Sequence, residues 1–298
     1  MRRRRRWRRQ ALLPYLLLAP ALVLLVGMLY PFGLGLYYSF TSYWLQYPKR
    51  FHFVWFDNYV NLIGEPMFAR ALRFTLGFTL AAVVLQVGLG LAVALFLHAR
   101  IPGRKVMRAL MLLPLMMPPV ITALMWKIMM ASTDAGVLNY MLSFLGVDPI
   151  NWFGSIRGAV VSILIIDTWG NLPFVSLILL GALQALPTEP YEAARVDGAS
   201  PAAMLRYITL PLLSPFILLA VTFRTMDSLR IFDVIYATTM GGPDDATTNL
   251  LVMAYQYAFQ WYQMGKGMAQ AIVLLLLVVI ASAVLMRLWN RAAERTAQ

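Results

Sequence analysis

The chain has 298 residues, of which 60% are hydrophobic and only 13% charged, with a net charge of +12 and no cysteine. A soluble domain carries about a quarter of its residues as charges, so this composition belongs in a bilayer, and the basic excess has to be read by position before it suggests nucleic acid. Without cysteine there is no disulfide framework and no thiolate metal site, and the two histidines, His52 and His98, form no ligand-spaced motif.

Residues 1–10 are a basic tail with arginine at positions 2–6, 8 and 9. The apolar run behind it predicts a first span over 11–31, about the twenty residues a helix needs to cross the hydrocarbon. A cleaved signal peptide would need a small-residue cleavage site, and the run continues through Gly27-Met28-Leu29-Tyr30 without a clear one. Ser39–Arg73 is polar and aromatic, a composition suited to the membrane–water boundary. Within it, Phe56-Asp57-Asn58-Tyr59-Val60 reads as an interfacial half-helix. The second span is predicted over 74–97 and carries Gly77, Gly88 and Gly90, which let helices approach closely.

A basic connection follows, with Arg100, Arg104, Lys105 and Arg108, turning at Pro102-Gly103. The third span, over 109–130, holds Pro114, Pro118 and Pro119. Their missing backbone bonds have to be made good by neighbours or water, either as a bundle-facing kink or as a gating flexure. The loop Ser132–Arg157 contains Asp134-Ala135-Gly136, Asp148-Pro149 and one helical patch, Val137–Leu145. The fourth span covers 158–183, the fifth 208–224 and the sixth 268–288, with 11–290 as the transmembrane domain and 291–298 as a C-terminal tail.

Residues 188–206, between the fourth and fifth spans, are compatible with water yet rich in helix signals. Thr188 is placed to cap a first short helix, with Glu189 in its first turn and Pro190 tolerated there. Asp197-Gly198 ends that helix, since glycine takes the left-handed cap without a Cβ penalty. Ser200-Pro201 starts a second helix and Pro211 is expected to help close it. On these signals alone the segment is either an ordinary capped connection or a docking element.

Six spans put both termini on one side. That side, with the tail and residues 98–108, 184–210 and 287–298, holds sixteen basic residues, against nine on the longer loops opposite. The positive-inside rule therefore makes the termini and the 188–206 loop cytoplasmic.

No phosphate-binding Gly-x-x-x-x-Gly-Lys-Ser/Thr, His-Glu-x-x-His or Gly-x-Ser-x-Gly occurs, so nothing suggests bond-breaking by this chain. The informative polar residues lie at membrane depth, where they are costly. Asp167 and Asn171 share a helix face, beside Trp169 and Gly170, and Arg224 and Asp227 are spaced to pair. Directed hydrogen-bonding groups beside an aromatic platform suit a sugar. The set Asp167, Trp169, Asn171, Arg224 and Asp227 is thus the candidate substrate path. The competing reading is structural: a helix–helix hydrogen bond for Asn171 and a local ion pair for Arg224 and Asp227.

The run Glu192-Ala193-Ala194, then Asp197-Gly198-Ala199-Ser200, then Ile208-Thr209-Leu210-Pro211-Leu212-Leu213 resembles the cytoplasmic coupling loop of ABC-transporter permease subunits. Phe56–Val60, and Thr238-Thr239-Met240-Gly241-Gly242-Pro243 before Thr247-Thr248, resemble segments of binding-protein-dependent carbohydrate permeases of the maltose and glycerol-phosphate type. The resemblance covers most of 30–288. It implies an all-α polytopic membrane protein with six transmembrane helices and a cytoplasmic coupling helix–turn–helix.

By the same resemblance, the chain would work in a bacterial or archaeal plasma membrane beside a second permease subunit, a pair of ATP-binding subunits and an extracytoplasmic substrate-binding protein. It would itself hold no cofactor, ATP and Mg²⁺ being bound by the ATPase partner. Glu192 would face a basic residue of that partner, with Ala193, Ala194, Asp197, Gly198 and Ala199 completing the docking element. The cargo would be a sugar, favoured as a di- or oligosaccharide, moved by alternating access. Two rivals compete with this reading. An ion-gradient-driven carrier predicts an inverted repeat and no capped docking loop, and a membrane enzyme acting on lipid-linked sugars predicts clustered carboxylates or histidines at one membrane face.

Overall fold

A computed structural model describes residues 2–99, 101–133 and 136–297, with side chains described between Leu17 and Glu294. The side chains of the 1–10 tail, and Arg100, Asp134 and Ala135, lie outside the described residues. The chain divides into two compact units, one of residues 1–64 and 254–272, the other of 65–253 and 273–298.

In the first unit, helix α1 runs over Arg2–Ser39 and α2 over Asp57–Gly64, so Phe56–Val60 does open a short helix. An isolated antiparallel bridge joins Thr41 and Phe53. Asn58, on α2, donates to the carbonyls of Ser39 and Thr41 at 2.9 and 2.8 Å. Those carbonyls lie at and just past the end of α1, where orphan acceptors need partners. The same unit contains Gly265, where a Cβ would lie 2.1 Å from the Thr41 carbonyl oxygen, so only glycine fits this close approach.

The second unit is built on three long helices. Helix α3 spans Pro66–His98, α4 Arg104–Met116, α5 Pro119–Met129, α6 Val137–Ser143 and α7 Ile156–Ala185. Helix α8 follows over Glu189–Val196, α9 over Pro201–Met204, α10 over Leu210–Leu229, α11 over Asp233–Thr238, α12 over Leu250–Tyr255 and α13 over Met264–Ala297. α3, α7 and α10 pack mutually. One apolar cluster centres on Phe78, Ala82, Ile163 and Ile235, and another on Ala94, Leu97, Leu179 and Leu213.

Among the three glycines of the second span, only Gly90 makes the close approach: a Cβ there would sit 2.6 Å from Val175 Cγ1, whereas Gly77 and Gly88 face open space. The loop after α5 is organised by Asn139. Its side chain bonds the Ala131 carbonyl, both backbone groups of Ile150 and the Trp152 indole. This satisfies an irregular backbone that would otherwise carry orphan polar groups.

Among the described residues, five helices are long and apolar enough to cross a membrane. Where the third span was expected stand α4 and α5, which bend by 100° at their break, the geometry of a broken span or of a re-entrant loop. The expected single helix over 109–130 is therefore two. Pro118 and Pro119 remove consecutive backbone donors at the junction, and Met117, before a proline, is pushed to an extended ψ of 134°. The fifth span starts earlier than expected. A π turn over Leu205–Thr209 joins α9 to α10, giving one span over Pro201–Leu229. Pro211 does not close the helix, because it falls in the first turn of α10, directly after the π turn, and the wider i→i+5 turn accommodates the break in the ordinary ladder.

Candidate functional site

Two sites emerge, both in the second unit. The first is the 188–206 segment. Helix α8 ends in a reciprocal pair of bonds: the Ala199 N–H donates to the Ala194 carbonyl at 2.8 Å and the Gly198 N–H to that of Arg195 at 3.1 Å. Gly198 sits at φ +74°, so this is a Schellman cap, which requires the left-handed residue glycine supplies. Ser200 Oγ then accepts from the Ala203 N–H at 3.3 Å, capping the next helix.

The expected side-chain cap by Thr188 is absent. Its backbone is already helical, at φ −84° and ψ −27°, so its carbonyl rather than its hydroxyl serves the first turn, accepting from Tyr191 and Glu192. A contact not anticipated from sequence fixes α8 to the base of the fifth span: Tyr191 donates its hydroxyl to Thr209 Oγ1 at 3.1 Å, beside the π turn. Glu192, Ala193, Asp197 and Gly198 are exposed, and Ala194 and Ala199 half-buried. Val196 is 88% exposed. α8 is thus a short helix capped at its C-terminal end, with Glu192 and Val196 left uncovered within this chain.

The second site is a polar knot inside the bundle. Arg224 on α10 is 1% exposed and Asp167 on α7 is 5% exposed, and they form a salt bridge, Nη2 to Oδ2, of 3.0 Å. Gln86 on α3 completes it: its Oε1 accepts from Arg224 Nε at 2.6 Å and its Nε2 donates to Asp167 Oδ2 at 2.7 Å. Ser228 accepts from Arg224 Nη2 at 3.0 Å. Asn171 donates to Asp167 Oδ1 at 2.9 Å. Three helices are thus tied through one planar guanidinium, whose fork geometry suits several acceptors at once.

The expected pairing of Arg224 with Asp227 is secondary. Those groups lie 3.8 Å apart, and Asp227, half-exposed, bonds Arg230 Nη2 at 3.0 Å instead. The reason is geometric: Asp167 lies in the buried space that Arg224 enters, while Asp227 turns to the accessible side. Trp169 is half-buried, edge-on to Trp126 with ring centroids 5.9 Å apart. Sequence reasoning missed Gln86, Ser228 and Tyr191. Gln86 was findable, as a lone amide in the middle of an apolar span; Tyr191 was not, since its partner is 18 residues away.

The chain matches the family described as "Binding-protein-dependent transport system inner membrane component" over residues 86–295. It belongs to that family. It is therefore a multi-pass membrane permease, serving a transport system supplied by a binding protein. It is 39% identical to the trehalose/maltose transport system permease protein MalF of Thermococcus litoralis, over 92% of each chain. It is 31% identical to the trehalose transport system permease protein SugA of Mycobacterium tuberculosis, over 94% of this chain and 90% of that one. The fold matches a bacterial ABC transporter involved in the import of the acidic polysaccharide alginate, with a TM-score of 0.82, 24% identity, and 96% and 99% of the two chains covered. In this inner membrane component the family match takes in both sites, α8 as well as Gln86, Asp167 and Arg224.

Proposed function

We propose that this permease is one membrane subunit of an ATP-driven sugar importer, with both termini cytoplasmic. Its partners are a second permease, a pair of ATP-binding subunits holding ATP and Mg²⁺, and an external binding protein that delivers the cargo. The observation that carries the reading is α8: a helix capped at its C-terminus by Gly198 and anchored by Tyr191, presenting Glu192 and Val196 outward. Such a helix transmits force only if a partner grips it. Relatives named for trehalose and maltose support a di- or oligosaccharide cargo.

Within the bundle the candidate path divides by accessibility. Trp169, Asn171 and Asp227 keep partly accessible surface and are assigned to the path. Asp167 and Arg224 have their polar atoms engaged by neighbours and are assigned to positioning α7 against α10. The test is co-purification from native membranes, then reconstitution with the binding protein and radiolabelled trehalose or maltose. ATP-dependent accumulation of either sugar, with a nucleotide-binding subunit in the complex, supports the reading. A chain that purifies alone and shows no ATP-dependent uptake overturns it.

A further inference from the structure

Helix α4 opens with basic residues at the end where they are least welcome. Arg104 and Lys105 occupy its first turn and Arg108 the next, where the helix dipole already presents partial positive charge. Arg104, Arg108, His98 at the end of α3 and Gln184 at the end of α7 line one cavity of about 440 Å³. None of the described residues lining it is acidic. Among the described residues, none of these basic groups forms a salt bridge, the ion pairs being those of Arg224 and Arg230. Arg108 spends one N–H on the Leu97 carbonyl at 3.0 Å, and its Nε is shielded from water with no partner. Convergent positive charge, unpartnered donors and a roomy polar cavity together call for an anion.

The surroundings say which anion. α4 buries no side chain within this chain, and Leu112 and Leu115, one and two turns beyond Arg108 on the same face of the helix, are both exposed. The cavity therefore stands where an apolar, membrane-compatible surface gives way to basic groups, the level of a lipid phosphate. We propose that it binds the phosphodiester headgroup of an anionic glycerophospholipid, its acyl chains lying along α4. The site adjoins the docking segment: His98 and Gln184 also line a neighbouring cavity of about 660 Å³ shared with Tyr191, Glu192 and Arg195. A lipid bound here buttresses the face of the bundle from which α8 emerges.

The test is native mass spectrometry of the purified transporter complex released from nanodiscs of phosphatidylglycerol and phosphatidylcholine. The wild-type complex is expected to retain at least one phosphatidylglycerol more than an Arg104→Gln complex, and to prefer it over phosphatidylcholine several-fold. Lys49→Gln, at a basic residue in the other unit, should leave retention unchanged. Arg108 is left intact because it bonds Leu97. Should Arg104→Gln fail to assemble, the lipid preference of the wild-type complex and the retention shown by Arg104→Lys decide the matter. Equal retention in wild type and Arg104→Gln, or no preference for phosphatidylglycerol, overturns the proposal. Displacement of the lipid by millimolar inorganic phosphate identifies a free-anion site and overturns it too.

Discussion

Arg224 and Asp167, 57 positions apart in sequence, meet inside the bundle with 3.0 Å between Nη2 and Oδ2, and neither is more than 5% exposed. Removing one member of such a pair leaves an uncompensated charge, a loss of about 3–5 kcal/mol, whereas removing both together is often nearly neutral. Asp167→Asn and Arg224→Gln are each expected to lower the thermal midpoint of the purified permease strongly, and the double variant to recover most of it. Additive losses in the double variant would show that the two residues act separately.

Glu192 is exposed in this chain, so its replacement should leave the permease's own stability within about 0.5 kcal/mol of wild type. Its effect belongs to the docked complex. A charged partner removed from a desolvated interface costs about 2–5 kcal/mol, so Glu192→Ala should release the ATPase subunits on purification or uncouple hydrolysis from uptake. Normal uptake by Glu192→Ala would refute the docking role of α8.

Gly198 holds φ at +74° with open space around its missing Cβ. The cost of a side chain there is conformational rather than steric, about 1–2 kcal/mol for most residues and less for asparagine. Gly198→Val is expected to fray the end of α8 and reduce ATP-dependent uptake, with Gly198→Asn intermediate. Comparable uptake by Val and Asn variants would show that the cap does not orient the helix.

Gly90 presents the opposite case, a helical glycine whose added Cβ would press on Val175 Cγ1 at 2.6 Å. Overpacking of this kind costs about 1–3 kcal/mol. Gly90→Ala should lower the thermal midpoint, and Val175→Ala in the same chain should restore part of the loss. A double variant no better than Gly90→Ala would place the strain elsewhere.

The Tyr191 hydroxyl bond to Thr209 has a net worth of about 0.5–1.5 kcal/mol. Tyr191→Phe keeps the ring and removes only that bond. Its expected signature is a lower ratio of sugar transported to ATP hydrolysed at nearly unchanged ATPase rate. An unchanged ratio would show that α8 moves the fifth span without this link.

The sequence by itself determined the membrane class, the number of apolar segments, the Gly198 cap and the Ser200 cap, and the separate standing of the 188–206 loop. These rest on local physics: hydrocarbon thickness sets segment length, and backbone dihedrals and first-turn donors set the caps. The short helices at Phe56–Val60 and Val137–Leu145 were legible for the same reason. Only the tertiary structure decided which glycine is a contact, that the third span folds back by 100°, and that the fifth runs through Pro211. It also decided that Arg224 turns from Asp227, three residues away, toward Asp167 and Gln86 on two other helices. Sequence spacing lists the partners a side chain has on its own helix. Inside a bilayer the desolvation cost of a charge is met by whichever acceptors packing brings into the buried space, and those come from elsewhere in the chain.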